Sequence, residues 1–422
     1  MQSTKTQTYY PSLEVIRAAR KRLASIAFRT PTTINHNLSQ KFGATIWLKR
    51  EDLQVVRSYK LRGAYNKISG LSDQDLKNGV VCASAGNHAQ GVAYACQKLQ
   101  VHARIFMPET TPKQKVAQVK MFGGSFVEVH LSGDTFDDSL LVAKSYCQKY
   151  QVAFIHPFDD PQIIEGQATI ACEILDDCSD AIDYLLLPAG GGGLAAGVSA
   201  VFKYLSPATK IIAVEPEGAA SLTAAFAQQK AVALDKIDKF VDGAAVKKVG
   251  DVTFGVCKEN IAQVLKVPEG LICRTMLQLY NEEAMVVEPA GALSIAALHL
   301  LGDLIQNKKV LCIVSGGNND ISRTEEIRER ALLHEQLKHY FIINFPQRAG
   351  ALKEFVADIL GDNDDIVYFQ YIKKNNREKG PAMVGIELVN AADLAPLLER
   401  MEQRNFLEKH LNHHPGLFNF LV

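Results

Sequence analysis

No apolar run in this sequence is long enough to span a bilayer, and its start, Met1 to Tyr10, is polar with no apolar core. Neither a membrane span nor a secretory leader is expected, and a cytoplasmic location is. Charge of one sign is not in excess either, since Lys and Arg number 46 and so do Asp and Glu. Without a net field to draw in a polyanion, nucleic acid and acidic membranes are not expected partners. There are eight cysteines but no Cys-x-x-Cys pair and no His/Cys cluster, and Cys82, Cys96, Cys172 and Cys312 lie in apolar runs. A disulfide scaffold is therefore not expected, nor is a metal; reduced, buried thiols are. Internal repeats and low-complexity tracts are also missing. The 422 residues, 47% of them hydrophobic, suffice for two or three domains with buried cores.

What the chain does contain is a long alternation of strand and helix patterns. Ser12 can cap a first helix from Leu13 to about Phe28, closed by Arg29-Thr30-Pro31. Strands are predicted near Thr45 to Lys49, Val80 to Ala83, Arg104 to Met107, Ser125 to Val129 and Ala153 to His156. Others follow near Tyr184 to Leu187, Lys210 to Glu215 and Val310 to Val314, with helical patterns between them. Such alternation argues an α/β fold with a mostly parallel sheet, covered on both faces and binding ligands at the carboxyl ends of its strands. Near Ser322 a highly charged helix, Arg323-Thr-Glu-Glu-Ile-Arg-Glu-Arg, breaks the pattern. Beyond it the order is strand, helix, strand, strand, helix, with alternation in Ile366 to Ile372 and Val384 to Leu388, an α+β module.

Four stretches could carry chemistry. In Cys82-Ala-Ser84-Ala85-Gly86-Asn87-His88 an apolar strand enters a glycine turn and then a helix, whose free N–H groups make an anion site. Lys60 follows Ser58-Tyr59 and opens a helix; most lysines are solvated surface residues. In a pocket at a helix start, however, its amine loses protons more easily and can form a Schiff base with an aldehyde. Gly190-Gly191-Gly192-Gly193, between a strand and the helix opened by Leu194, can curl so that several N–H groups meet one phosphate. The same stretch fits a dinucleotide pattern, Gly190-x-Gly192-x-x-Ala195, with Glu215 ending the next strand, so on these residues alone a nicotinamide cofactor stays open. Finally, Ser315-Gly316-Gly317-Asn318 follows a buried strand. An isolated strand-end turn is the plain reading of that stretch, as a turn residue is of Asn87. Together the four ask for a ligand with an aldehyde, a phosphate and a polar ring, which pyridoxal phosphate is and a nicotinamide dinucleotide is not.

At this point a family is visible. Ser58-Tyr59-Lys60-Leu61-Arg62-Gly63-Ala64, Ser84 to His88, Gly190 to Leu194 and Ser315 to Asn318 resemble, in order and spacing, the fold-type II (tryptophan synthase β-like) pyridoxal-phosphate enzymes. Within that group they look like the threonine dehydratases, over about residues 5 to 325. The segment Phe345-Pro346-Gln347-Arg348-Ala349-Gly350-Ala351-Leu352 resembles an ACT-like regulatory domain, of which one copy fits the remaining length. Gln347-Arg348 departs from the Glu–Arg or Glu–Lys more usual there.

The resemblance implies a two-subdomain catalytic domain over 1–335 and an ACT-like domain over 339–413. It implies that Lys60 carries the cofactor as a Schiff base and acts as the catalytic base. Asn87 would bond the ring 3′ oxygen, Gly190, Gly191, Gly192, Gly193 and Leu194 would hold the phosphate, and Ser315 would face the pyridine nitrogen. Ser84, Ala85, Gly86 and His88 would take the substrate carboxylate. The reaction implied is removal of water from L-threonine, and from L-serine, giving a keto acid and ammonia, with isoleucine as effector and a homotetramer as the assembly. Ala85 stands where related serine racemases carry a second serine, and Ser221 where a cation-binding carboxylate would be, so racemisation is not expected and no metal is assigned. Three other readings remain: a catabolic serine/threonine dehydratase, a catalytically silent amino-acid sensor and a nucleotide-dependent oxidoreductase.

Overall fold

The computed structural model describes residues 9–371 and 379–414. Met1 to Thr8 of the polar start, and Ile372 at the end of an expected strand, lie outside the described residues. The chain divides into two compact units, 1–319 and 320–422.

The first unit holds two sheets. The larger has the order β1-β2-β10-β7-β8-β9, built from Thr32–Ile34, Thr45–Arg50, Lys309–Val314, Tyr184–Pro188, Lys210–Pro216 and Ile261–Val267. All its pairings are parallel except that of β1 with β2 at the edge. The smaller, all parallel, has the order β5-β4-β3-β6, from Val127–Leu131, Ala103–Met107, Val80–Ala83 and Ala153–Phe154. Strands β3 (Val-Val-Cys-Ala) and β7 (Tyr-Leu-Leu-Leu-Pro) are buried at every residue, as unbroken apolar strands in a sheet covered on both faces should be. Separate apolar cores result: one with Leu185, Leu187, Val198 and Ile313 on the large sheet, another with Val80, Cys82, Val92 and Ile105 on the small one, and a third with Val81, Ala83, Phe106 and Ala143, also on the small one.

The helices that carry the candidate residues cross backbone to backbone. A Cβ at Gly91, in the helix Asn87–Leu99, would lie 3.0 Å from Leu61 N, and one at Gly166, in the helix Pro161–Asp177, 2.6 Å from Arg62 O. Glycine at both crossings lets the helix Lys60–Ile68 sit between its neighbours, which fixes where that helix starts.

Several expectations about element ends are corrected. The first helix is capped by Ser12 as expected but stops at Leu23, short of Phe28. Tertiary bonds capture the backbone there: Phe28 N donates to Gln54 Oε1, and Phe28 O accepts from Gln54 Nε2 and Arg62. Strand β5 begins at Val127, because Gly124 at φ +54 closes the preceding helix and Gly124–Phe126 forms a 3-10 turn. The strands β1 and β9 were not foreseen; three residues are too few for a pattern, and β9 is exposed or half-buried at five of its seven positions.

The second unit is a sheet of order β12-β13-β11-β14, from Asp365–Tyr371, Lys379–Glu387, Lys338–Pro346 and Leu407–His410, all antiparallel. Its core gathers Phe341, Ile343, Phe345, Phe355, Val384, Ile386 and Phe406. The expected five elements are present, and a further strand, β14, follows them; its sequence Leu-Glu-Lys-His carries no alternation that marks it. The charged helix spans Thr324–His334 and belongs to this unit, where Glu329 accepts from Tyr340 OH at 2.8 Å and pairs with Lys338.

Candidate active site

Three of the four sequence stretches lie just past the carboxyl ends of strands, Ser84 after β3, Gly190 after β7 and Ser315 after β10, and Lys60 opens its helix beside the last. That is where ligands bind in parallel sheets. The Lys60 and Ser315 stretches are stitched together, since Tyr59 N donates to Ser315 O at 3.2 Å, Gly317 N to Arg57 O at 2.9 Å, and Ser58 bridges Gly316.

Lys60 Nζ donates to Pro157 O at 2.9 Å. The side chain keeps some exposure, as an amine that must meet a ligand has to, while burial pulls its pKa down to about 8 against the pull of Glu288. The next residue, Phe158, packs on the glycine turn: a Cβ at Gly191 would be 2.2 Å from its ring, and one at Gly193 3.1 Å from its Cβ. A single segment, Ile155 to Asp159, thus touches both the amine and the phosphate-type turn. His156 Nδ1 shapes it by accepting from Phe158 N and Asp159 N at 3.2 and 2.8 Å. Asp159 in turn accepts from Val252 N and Thr253 N, and Thr253 Oγ1 donates to Gly191 O at 2.7 Å.

Gly192, at φ +88, takes the left-handed conformation needed to turn β7 into the helix Gly193–Leu205. The first N–H groups of that helix have no intrahelical acceptor and, with the dipole, suit a dianion. A second helix start that suits an anion is that of Asn87–Leu99, capped by Gly86, where a Cβ would meet nothing within 4 Å. Ser84 Oγ accepts from Gly86 N at 3.2 Å, and Ser84, Ala85, Gly86 and Asn87 are all partly exposed.

His88 is placed differently from its neighbours. Its ring is 3% exposed and bonds Ile155 O through Nε2 at 2.9 Å, so its side chain is part of the wall and only its backbone remains at the helix start. Burial, with Lys60 nearby, holds its pKa down at about 3, so the ring is neutral. Ser315, just past the carboxyl end of β10, is 2% exposed.

Asn87 is already engaged: Nδ2 donates to Glu288 Oε1 at 2.6 Å and Oδ1 accepts from Asn318 Nδ2 at 2.7 Å. Glu288 is a site residue that sequence reasoning missed. It is 4% exposed, and burial, aided by Asp242, pushes its pKa up to about 8. The signal was there in Glu288-Pro289-Ala290-Gly291, an acid set just before a proline-opened apolar helix. Pro157 and Phe158 were also missed, although His-Pro-Phe-Asp-Asp marks a loop directly after β6.

The dinucleotide reading does not survive the geometry. Glu215, which would have to reach a ribose, is wholly buried and accepts from Leu222 N, Thr223 N and Thr223 Oγ1 at 2.6, 2.8 and 2.9 Å. Its carboxylate caps the helix Ser221–Gln228, and burial pushes its pKa up to about 7. Among the described residues no group of three or more His, Cys, Asp or Glu is arranged to hold a metal ion, and no helix is long and apolar enough to cross a membrane.

The donor set fits pyridoxal phosphate: an amine of lowered pKa for the aldehyde, helix-start N–H groups for the phosphate, an amide and a hydroxyl for the ring. Two buried oxygens beside it, Ser58 Oγ and Asn318 Oδ1, have no partner among the described residues. Comparison with known proteins agrees. The profile described as pyridoxal-phosphate dependent enzyme matches residues 24–316, and that described as the C-terminal regulatory domain of threonine dehydratase matches 329–421. A Halalkalibacterium halodurans protein, "L-threonine dehydratase biosynthetic IlvA", is 53% identical over 97% of this chain and 99% of its own. Its namesake from Bacillus subtilis is 54% identical over 96% of each. Among solved structures, the processed form of threonine deaminase isoform 2 from Solanum lycopersicum superposes with a TM-score of 0.71 at 40% identity, covering 76% of this chain and 95% of that one. The expected fold class, a fold-type II catalytic unit followed by an α+β regulatory domain, is the one found. The chain belongs to the pyridoxal-phosphate dependent enzymes, in the branch of the biosynthetic threonine dehydratases.

Proposed function

We infer that the chain removes water from L-threonine, with L-serine as a second substrate, and releases 2-oxobutanoate (pyruvate from serine) and ammonia, the step that opens isoleucine biosynthesis. The observation that carries this reading is the shared contact of one segment with two sites: Pro157 O holds the Lys60 amine while Phe158 packs on the glycine turn.

Pyridoxal phosphate, when bound, supplies an aldehyde and an electron-withdrawing ring that make the substrate Cα acidic. The turn Gly190–Gly193 with Leu194 would hold its phosphate, Asn87 would donate to its ring oxygen, and the Ser315 hydroxyl would stand at its ring nitrogen. A neutral hydroxyl does not keep that nitrogen protonated as a carboxylate would, which favours prompt loss of the β-hydroxyl. The Ser84–Asn87 turn and the N–H groups that follow it would take the substrate carboxylate, His88 through its backbone. Lys60 Nζ, whose lowered pKa of about 8 leaves more neutral amine near neutral pH than an ordinary lysine has, would take the Cα proton. Ala85 offers no proton from the opposite face, so elimination is favoured over racemisation.

The second unit is read as a sensor of isoleucine, the end product of such a step, and the assembly as a homotetramer in the cytoplasm. In this reading the functional division stays at 1–335 and 339–413, although the helix Thr324–His334 packs within the second compact unit. The match of residues 329–421 to a regulatory domain supports it. The test is to purify the protein, record the visible absorption of bound pyridoxal phosphate, and assay keto-acid release from threonine with and without isoleucine. A protein that takes up no cofactor or releases no keto acid overturns the reading. Activation by a nucleotide, with no response to isoleucine, would favour the catabolic alternative.

A further inference from the structure

The Asn87 amide lies between neighbours of opposite hydrogen-bonding character. Its nitrogen faces the Glu288 carboxyl at 2.6 Å, and its oxygen faces the Asn318 Nδ2 at 2.7 Å. Asn318 is fixed in turn, because the same nitrogen donates to Val56 O at 2.8 Å. A backbone carbonyl only accepts, so turning Asn318 end for end would set two oxygens against each other. Turning Asn87 alone would put its nitrogen against the Asn318 nitrogen and its oxygen against the Glu288 carboxyl. The direction set at Val56 O is therefore passed through Asn318 to Asn87 and ends on Glu288.

Glu288 has little room to yield. Its N–H donates to Gly316 O at 3.2 Å, and Cβ atoms at Gly316 and Gly243 would lie 2.4 and 3.4 Å from its Oε1. Protonation does not undo the arrangement, since a neutral carboxyl still offers a carbonyl oxygen to the amide.

We propose that Asn318 and Glu288 are positioning residues that lock the Asn87 amide as a hydrogen-bond donor toward the ring oxygen of the cofactor. The amide nitrogen has two protons; one goes to Glu288 and the other is left for the ligand. An amide presented oxygen-first would repel an ionised ring oxygen. The inference rests on the pyridoxal phosphate reading above.

The test titrates pyridoxal phosphate into the full-length chain stripped of cofactor and follows both affinity and the absorption maximum of the bound form. Asn318→Asp replaces the donor by an acceptor and invites Asn87 to turn over. The cofactor Kd should rise about tenfold or more, and the absorption maximum should move. Asn318→Ala deletes the donor without adding charge and should show a smaller change of the same sign; it carries the test if the Asp variant fails to fold. Glu288→Gln, whose side-chain oxygen can still accept, should hold the Kd within about threefold, whereas Glu288→Ala should not. Unchanged affinity and absorption in the folded Asn318 variants would overturn the proposal, and so would a Glu288→Gln as impaired as Glu288→Ala. A wild-type chain that binds no pyridoxal phosphate would instead overturn the reading beneath it, before any variant is made.

Discussion

The Phe158 ring lies directly on Gly191, so that a Cβ built at Gly191 would come within 2.2 Å of the ring atom Cδ1. The glycine run is thus required for packing as much as for its N–H groups. Gly191→Ala is expected to cost about 1–3 kcal/mol of stability through overpacking. Cofactor affinity should fall with it, because a displaced Phe158 drags Pro157 away from Lys60. Denaturant titration and cofactor titration check both. Combining it with Phe158→Leu should recover part of the loss; strictly additive effects would mean that the clash is relieved elsewhere.

Lys60 gives a pH prediction with a definite sign. Only the neutral amine attacks an aldehyde, and its pKa is lowered to about 8. Below that value each unit of falling pH removes about nine-tenths of the neutral form, and above it little is gained. The initial rate of pyridoxal phosphate capture by the stripped protein should therefore climb about tenfold per unit up to about pH 8 and then level off. A rate still climbing at about pH 10 would mean an unshifted amine. Lys60→Arg should capture none.

What could be read from the sequence here was whatever announces itself locally. Lys60, the four glycines and Ser315 each follow or open an element whose pattern is visible, and parallel-sheet geometry brings strand ends together without any knowledge of contacts. Glu288 could not be read the same way, because its meaning lies in a hydrogen bond to Asn87 across 201 positions. The direction of the His88 ring could not be read from the sequence either. Adjacent residues at a helix start point in different directions, and only the packed structure shows that Asn87 faces the site while the His88 ring faces Ile155 O. Strand β14 failed because pairing with β11, not its own residues, makes it a strand.

Arg62 shows the reverse case, a motif residue that does no chemistry. It is 1% exposed and bonds Glu51 at 2.8 and 2.9 Å, Glu173 at 2.6 and 2.9 Å, and Phe28 O at 3.1 Å, tying the Lys60 helix to the helix Pro161–Asp177. Lys49 Nζ completes the cluster on Glu173 at 2.7 Å. Removing the guanidinium leaves buried carboxylates short of a partner, so Arg62→Met should cost about 3–5 kcal/mol in denaturant titration. A loss under about 1 kcal/mol would show the cluster to be solvated in solution.

Two histidines beside the site should make the fold acid-sensitive. His88 is buried against Ile155 O with its pKa held down at about 3, and His156 is held down at about 4, its Nδ1 occupied as an acceptor by Phe158 N and Asp159 N. Both rings are neutral when folded and take up protons near pH 6.5 when unfolded. Folded pKa values below the unfolded value mean that this stability is fully present above about pH 6.5 and is lost as pH falls toward about 4 for His156 and about 3 for His88. The expected slope for the buried His88 approaches about 1.4 kcal/mol per pH unit inside that window. Urea titrations of the wild type and of His88→Gln at about pH 7 and about pH 5 measure it. The variant can still donate to Ile155 O but takes up no proton, so it should start less stable and lose less on acidification. Parallel losses in the two proteins would exclude the buried ring as the source of the acid sensitivity.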